Sequence, residues 1–310
     1  MTPAPLLECV PNVSEGRRAE VIKQLVAVVA ATPGCCLMDV HSDPDHNRSV
    51  LTFAGTAPVV SDAARALARE AIRLIDMRQH RGVHPRIGAI DVIPFAPLAG
   101  ANLDLCVQVA RSTGEAIAAA HGIPVYLYGA AAPYGQDRTL AALRKGGFEA
   151  LNADGLSADG FSADGLRFAP DFGPPVAHPS AGAVSVGARG PLIAFNVLLE
   201  TEDVEVARRV ARAVRESSGG LPGVQALGLF LPGQGYAQVS MNLLDFRRTS
   251  LADLLDAVGE AARRAGTRVS TAELVGLAPE AALAGLEPGK LPGIPDRSFS
   301  IESRLAACTG

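Results

Sequence analysis

The chain has 310 residues, enough for two domains of ordinary size, each with a core of its own. Hydrophobic residues make up 48% and charged residues 19%, a balance that excludes a disordered chain; Trp is absent, so the cores fall to Ala, Val, Leu and Ile. A formal charge of -4 without any long Lys/Arg run excludes the electrostatic footprint of a nucleic-acid or polybasic membrane binder and leaves small molecules as the partner class.

Five cysteines (Cys9, Cys35, Cys36, Cys106, Cys308) form an odd set without CxxC spacing, and no signal peptide opens the chain. Reduced thiols, a cytoplasmic location and no sulfur-held metal are the expectations. No apolar stretch reaches the roughly 18 residues of a spanning helix, so the protein is expected to be soluble.

In chain order, Leu6 to Val10 reads as a strand stopped by Pro11, and Arg17 to Ala31 as a helix with Val21, Leu25, Val28 and Val29 on one face. Asn12 and Ser14 stand where they would cap that helix. Two strands, Cys35 to Val40 and Ser49 to Gly55, flank the polar stretch His41 to Arg48. A helix from Ala57 to Asp76 and a strand from Ile87 to Phe95 follow. The order β-α-β-β-α-β is that of a ferredoxin-like domain. After a helix at Leu103 to His121, a strand at Pro124 to Gly129 and a helix near Arg138 to Lys145, the order repeats: strand Pro191 to Glu200, helix Glu202 to Ser217, strands Val224 to Leu231 and Tyr236 to Leu244, helix Ser250 to Arg264 and strand Thr271 to Val275. The expected fold is α+β, with two ferredoxin-like βαββαβ subdomains in tandem, residues 1–180 and 181–310, and a ligand cleft between them. Asn152 to Leu166 reads NADGL-SADGF-SADGL, an exposed loop grown by duplication; its single acidic residues lack calcium-loop spacing.

Four segments concentrate chemistry. Arg78 to Phe95 (RQHRGVHPRIGAIDVIPF) puts two histidines and three arginines in a loop before a strand. His41 to Arg48 (HSDPDHNR) offers His41, Asp43, Asp45 and His46, which suit a metal in type, but lacks a helix to order them and any zinc spacing; an organic ligand is preferred and no metal is expected. Val10 to Arg18 (VPNVSEGRR) contains Asn12, read as a capping residue and as a candidate ligand contact. Phe168 to Arg189 is rich in Pro and Gly and reads as a rigid, irregular connector that could wall a cleft.

Taken together, ECVPNVSEG at 8–16, RLIDMRQHRGVHPRIGAIDVIPF at 73–95, IPVYLYG at 123–129, APDFGP at 169–174, AQVSMNLLDF at 237–246 and ELVGL at 273–277 resemble the formiminotransferase family, over nearly the whole chain. The resemblance implies transfer of a formimino group from N-formimidoyl-L-glutamate to tetrahydrofolate as co-substrate, in a homodimer of two-subdomain chains. Formyl transfer from N-formylglutamate, or folate binding without catalysis, are the alternatives. The family's catalytic histidine falls on His84, in HPR, rather than on His80. Its folate-binding stretch falls on Gly173, Pro174, Pro175, Val176, Ala177, His178, Pro179, Ser180, Ala181 and Gly182. Ala181 stands where animal members have an aromatic residue, and His41 where they have an acidic one. The chain ends at Gly310 without the cyclodeaminase domain of the bifunctional animal proteins, so closure of the product's ring is expected elsewhere. For the donor's two carboxylates, Arg48, Arg86 and Arg189 are the candidate anchors, because a guanidinium fork matches a carboxylate. Asp43 or Asp45 would face the positive formimino group.

Overall fold

The first apolar run is broken in two by its own proline. In the computed structural model, which describes residues 4–133, 138–153 and 169–309, it forms β1 (Leu7–Cys9) and β2 (Asn12–Val13) on either side of Val10 and Pro11. Pro11 has no N–H to give a ladder, yet its carbonyl still accepts the Leu51 N–H at 3.1 Å. The chain divides into two units, Met1–Gly190 and Pro191–Gly310.

In the first unit, α1 (Ala19–Ala30) leads to the hairpin β3 (Cys36–Asp43) and β4 (Arg48–Gly55), then α2 (Ala57–Leu74) and β5 (Ile90–Pro97). Both β1 and β2 lie antiparallel between β4 and β5, and β3 lies outside β4. Numbering β1 and β2 as one strand, the order is fourth, first, third, second, which is the ferredoxin-like sheet. The helix α3 (Leu103–His121) is capped by Asn102, whose side chain accepts the Leu105 N–H at 2.9 Å, and stopped by Gly122 at φ 58°. It is followed by β6 (Val125–Gly129), α4 (Leu140–Leu143), α5 (Gly147–Ala153) and β7 (Val184–Ala188). β7 is parallel to both β5 and β6 and extends the sheet between them. The NADGL repeat lies outside the described residues from residue 154 onward.

Alternation sorts the two faces of this sheet. Leu7, Cys9, Val13, Leu51, Phe53, Ile93, Phe95, Val125, Leu127, Val184 and Val186 turn to one side, where α1, α2 and α3 bury them in the main core. Glu8, Asn12, His41, Val50, Thr52, Val92, Ser185 and Tyr126 turn to the other. Part of that second face is apolar too, where Ile87, Val92, Tyr126 and Tyr128 pack with Leu143 and Leu151 of α4 and α5.

The second unit runs β8 (Ile193–Leu199), α6 (Val204–Val214), β9 (Val224–Leu231), β10 (Tyr236–Leu243), α7 (Leu251–Arg264) and β11 (Val269–Val275). Its sheet order, β11-β8-β10-β9, all antiparallel, repeats the fourth-first-third-second order. Val206, Val210 and Val214 of α6 and Leu251, Leu254 and Val258 of α7 cover one face, against Ile193, Phe195, Val197, Val239 and Met241. Two further helices, α8 (Glu280–Leu283) and α9 (Ile301–Thr309), carry no clear sequence signal; Ala282 and Leu283 join the same core. The tandem of two ferredoxin-like units therefore stands as expected.

Two expectations change. Asn12 and Ser14 do not cap α1: the Asn12 side chain donates to the Val10 carbonyl at 3.1 Å and Ser14 to that of Gly88 at 2.7 Å. Instead Glu15 accepts the N–H groups of Arg17 and Arg18, each at 2.8 Å, and pairs with the Arg18 side chain. The connector before Arg189 is not irregular throughout, because residues 184–188 form β7, buried along its whole length. Its Gly187 is required there, since a Cβ would come within 2.5 Å of the Tyr128 ring.

Candidate active site

The turn between β3 and β4 is built from short polar side chains that bond backbone. Asp43 Oδ1 accepts the His46 N–H at 2.7 Å, closing the turn. Asn47 adopts φ 48°, a left-handed conformation that Asn tolerates, and its amide bridges two loops: Oδ1 accepts the Gly16 N–H at 3.0 Å, and Nδ2 donates to the Arg81 carbonyl at 3.1 Å. Gly16 lies so close that a Cβ would be 2.1 Å from the Asp43 carbonyl oxygen. The Val83 N–H reaches the Asp45 carbonyl at 3.2 Å. The HSDPDHNR turn is thereby a clamp on the 80–84 loop.

Within that loop the two histidines differ. His80 is 6% exposed; its Nε2 donates to the Asn47 carbonyl at 2.8 Å and its Nδ1 accepts from Arg86 Nε at 3.0 Å. Both nitrogens are committed and only a neutral ring fits, since a second ring proton would meet the guanidinium. Burial pushes its pKa below the ordinary histidine value and the Arg86 charge adds to this, against the pull of the Asn47 carbonyl. Arg86 holds the ring on one side and Glu149 on the other, with a two-pronged pairing at 2.6 and 2.7 Å.

His84 is half-buried and turns one nitrogen to its own loop: Nδ1 donates to the Pro85 carbonyl at 2.8 Å, which leaves the Nε2 lone pair in the neutral ring. Burial, then the charges of Arg48 and Arg144 and the ring of His46, hold its pKa well below the usual histidine value. The His46 ring centroid is 5.7 Å away at a 41° tilt. Near neutral pH the group is thus an unprotonated imidazole, with the two arginine charges acting against its protonation.

Strand register places several expected residues in one row. His41 of β3 stands opposite Val50, Val50 opposite Asn12, Asn12 opposite Val92, Val92 opposite Ser185 and Ser185 opposite Tyr126. All lie on the face away from α1, α2 and α3, as does Arg48, two residues before Val50. Asp43 and Asp45 are buried at the turn that closes this row. Two polar atoms of the row, Ser185 Oγ and Tyr126 Oη, are buried without a hydrogen-bond partner among the described residues.

The 173–182 stretch is a tight loop, with His178 and Gly182 exchanging N–H···O bonds of 2.9 Å. It is laced to the segment after His84 by Ala183 N–H to Ile87 at 3.0 Å and Ala89 N–H to Ala181 at 2.9 Å, and Met77 N–H binds the Ser180 carbonyl at 2.7 Å. The His178 ring accepts the Ala181 N–H at 3.0 Å. Gly173, Pro175, Val176 and Pro179 are exposed, Val176 by 53%, while Pro174, His178 and Ser180 are half-buried and Ala177 is buried. The Ala181 side chain lies in the main core at 0% exposure, and the small residue fits there rather than facing outward. Arg189 stands apart: its N–H bonds Phe95 near the far end of β5 and its side chain donates to the Gly190 carbonyl at 3.0 Å.

Similarity to known proteins can be set beside this geometry. Residues 6–189 match the formiminotransferase domain, N-terminal subdomain, and residues 194–287 match the formiminotransferase domain. The chain belongs to the formiminotransferase family. It is 41% identical to a glutamate formimidoyltransferase of Streptococcus pyogenes serotype M1, over 90% of this chain and 91% of that protein. A Thermoplasma acidophilum protein of the same name is also 41% identical, over 90% and 89% of the two chains. A formimidoyltransferase-cyclodeaminase of Sus scrofa is 45% identical over 90% of this chain, which spans 51% of that longer protein.

Three residues of this cluster were not legible as such. His46 read only as one of four possible ligands, Arg144 only as part of the helix near Arg138 to Lys145, and Glu149 carried no signal. Arg144 pairs with Asp91, whose other oxygen accepts the Ile87 N–H at 2.8 Å. Among the described residues no three His, Cys, Asp or Glu side chains gather closely enough to hold a metal ion. Nor is any described helix long and apolar enough to cross a membrane.

Proposed function

We propose that this chain is a glutamate formimidoyltransferase, moving the formimino group of N-formimidoyl-L-glutamate to N5 of tetrahydrofolate and releasing 5-formimidoyltetrahydrofolate and L-glutamate. The observation that carries the reading is the state of His84: neutral, tethered through Nδ1, with Nε2 left to take a proton. As N5 attacks the formimino carbon, a C–N bond forms and the N5 proton passes to Nε2. The glutamate nitrogen then takes that proton as its own bond to carbon breaks. One group that accepts and then donates serves both halves of the exchange. A depressed pKa makes the protonated ring a stronger acid, which favours donation to the departing amine.

Supporting roles follow from placement. Arg48, on the same face of β4 as Val50 and the His41–Asn12 row, is the anchor for a donor carboxylate, and Arg86 grips Glu149 and holds His80. Asp43 and Asp45, buried beside the loop, complement the positive formimino carbon. Asn12, His41 and the exposed residues of the 173–182 loop, Gly173, Pro175, Val176 and Pro179, border the tetrahydrofolate side. Holding both substrates in one geometry supplies about 7–11 kcal/mol of the acceleration.

The test is a spectrophotometric assay of purified protein with tetrahydrofolate and either N-formimidoyl-L-glutamate or N-formyl-L-glutamate. Turnover with the formimino donor is expected. Turnover with the formyl donor alone would reassign the substrate, and folate binding with no turnover of either donor would make this a binding protein.

A further inference from the structure

Deepening the reading above, and resting on His84 as its acid-base group, we propose that His46 is a positioning residue, its buried ring fixing the tilt of the His84 imidazole. His46 is 1% exposed, so its ring is held by the protein on all sides and forms a wall rather than a mobile contact. The wall stands 5.7 Å from the His84 ring, centroid to centroid, at 41°. At that spacing and tilt the two rings are in the range of offset aromatic packing.

The backbone around the pair leaves His84 little other freedom. Asp43 fixes the His46 N–H. Gly82 lies against the His46 carbonyl so closely that a Cβ would be 2.2 Å from its oxygen. Val83 N–H binds the Asp45 carbonyl, the Arg81 carbonyl takes the Asn47 amide, and His80 Nε2 donates to the Asn47 carbonyl. Residues 80–83 are therefore anchored one after another to Asp45, His46 and Asn47. What remains to His84 is rotation about its own side-chain bonds, limited on one side by the Nδ1–H bond to Pro85 and on the other by the His46 ring.

Four groups act on the charge of the His84 ring: Arg48 from β4, Arg144 at the end of α4, His46 from the turn and the Pro85 carbonyl from its own loop. The two arginines and His46 act in the same electrostatic direction. Only His46 makes ring-to-ring contact, so shape and charge separate by substitution: Phe keeps a ring, Gln keeps polarity without one, Ala keeps neither.

Steady-state kinetics and histidine-ring NMR on the full chain read both parts. His46→Ala is expected to lower kcat by about tenfold to a hundredfold, the scale of a misplaced catalytic group, with KM within about twofold. His46→Phe is expected to recover most of that loss and His46→Gln little of it. The His84 resonances, assigned by their loss in His84→Ala, should report Nδ1–H as the dominant tautomer in the wild type and with Phe, and a tautomer mixture with Ala. Unchanged kcat and an unchanged His84 tautomer in His46→Ala would overturn the proposal. Should His46→Ala not fold, equal kcat for His46→Phe and His46→Gln would overturn it instead. If His84→Ala keeps full activity, the acid-base assignment fails separately, and the NMR comparison still decides whether His46 orients the ring.

Discussion

Two histidines four residues apart in one loop have opposite fates, and their partners decide which. His80 meets a carbonyl on Nε2 and a guanidinium N–H on Nδ1, so no nitrogen is left for substrate. His84 meets a carbonyl on Nδ1 only. His84→Ala is therefore expected to lower kcat by about 10²–10⁴-fold while tetrahydrofolate still binds, measured by turnover and by calorimetric titration. The pH dependence has a definite sign. Protonation removes the base, and the protonation midpoint lies well below the usual value of about 6.5, so kcat/KM should stay level through neutrality and fall only on the acid side of that value. A fall already under way at pH 7.5 would contradict this. Arg86→Lys tests the other histidine: an ammonium cannot grip Glu149 with two prongs and reach His80 Nδ1 at once. Thermal denaturation should show a loss of about 1–2 kcal/mol, mostly from the His80 bond because Glu149 is exposed.

At the scale of elements, regular periodicity was readable and contacts across the sheet were not. The helix Leu103–His121 has the bounds expected, and strands 224–231 and 236–243 differ from expectation by one residue at most, because caps, glycines and alternation are local signals. The β3–β4 hairpin was placed, but both strands run further into the polar HSDPDHNR stretch, where pairing of Asp43 with Arg48 overrides polar composition. Residues 184–188 read as connector, since a parallel strand between β5 and β6 is defined by partners some 60 to 90 residues away. The functional loops were legible as concentrations of residue types; Glu149 and Arg144 were not, because only the folded chain brings them to Arg86 and Asp91. The 173–182 loop depends in turn on Gly182, which has φ 74° and would place a Cβ 2.1 Å from the Ile87 carbonyl oxygen. Gly182→Ala should cost about 1–3 kcal/mol in urea denaturation and raise KM for tetrahydrofolate, as the loop lifts from residues 87–89. Unaltered stability would mean that the loop is not held as described.

For the molecule as a whole, the fold repeats but the histidines do not. The two units repeat the same four-stranded order, yet all six histidines, residues 41 to 178, lie in the first and none in the second. In the first unit His80, His84 and His121 are all held below the ordinary histidine value, chiefly by burial. Between the folded and unfolded midpoints the unfolded chain binds more protons, so stability rises with pH there. That stabilisation is complete above about pH 6.5 and is lost as pH falls below it toward the folded midpoints. The second unit has no histidine to contribute to this change. Hydrogen exchange, corrected for the intrinsic pH dependence of exchange, should show core amides of β4, β5 and β7 losing protection between pH 7 and pH 5.5 while those of β8 and β10 keep theirs. Equal loss in both units would show that they unfold as one cooperative body, and protection unchanged in the first would show that its buried histidines are not held neutral by the fold.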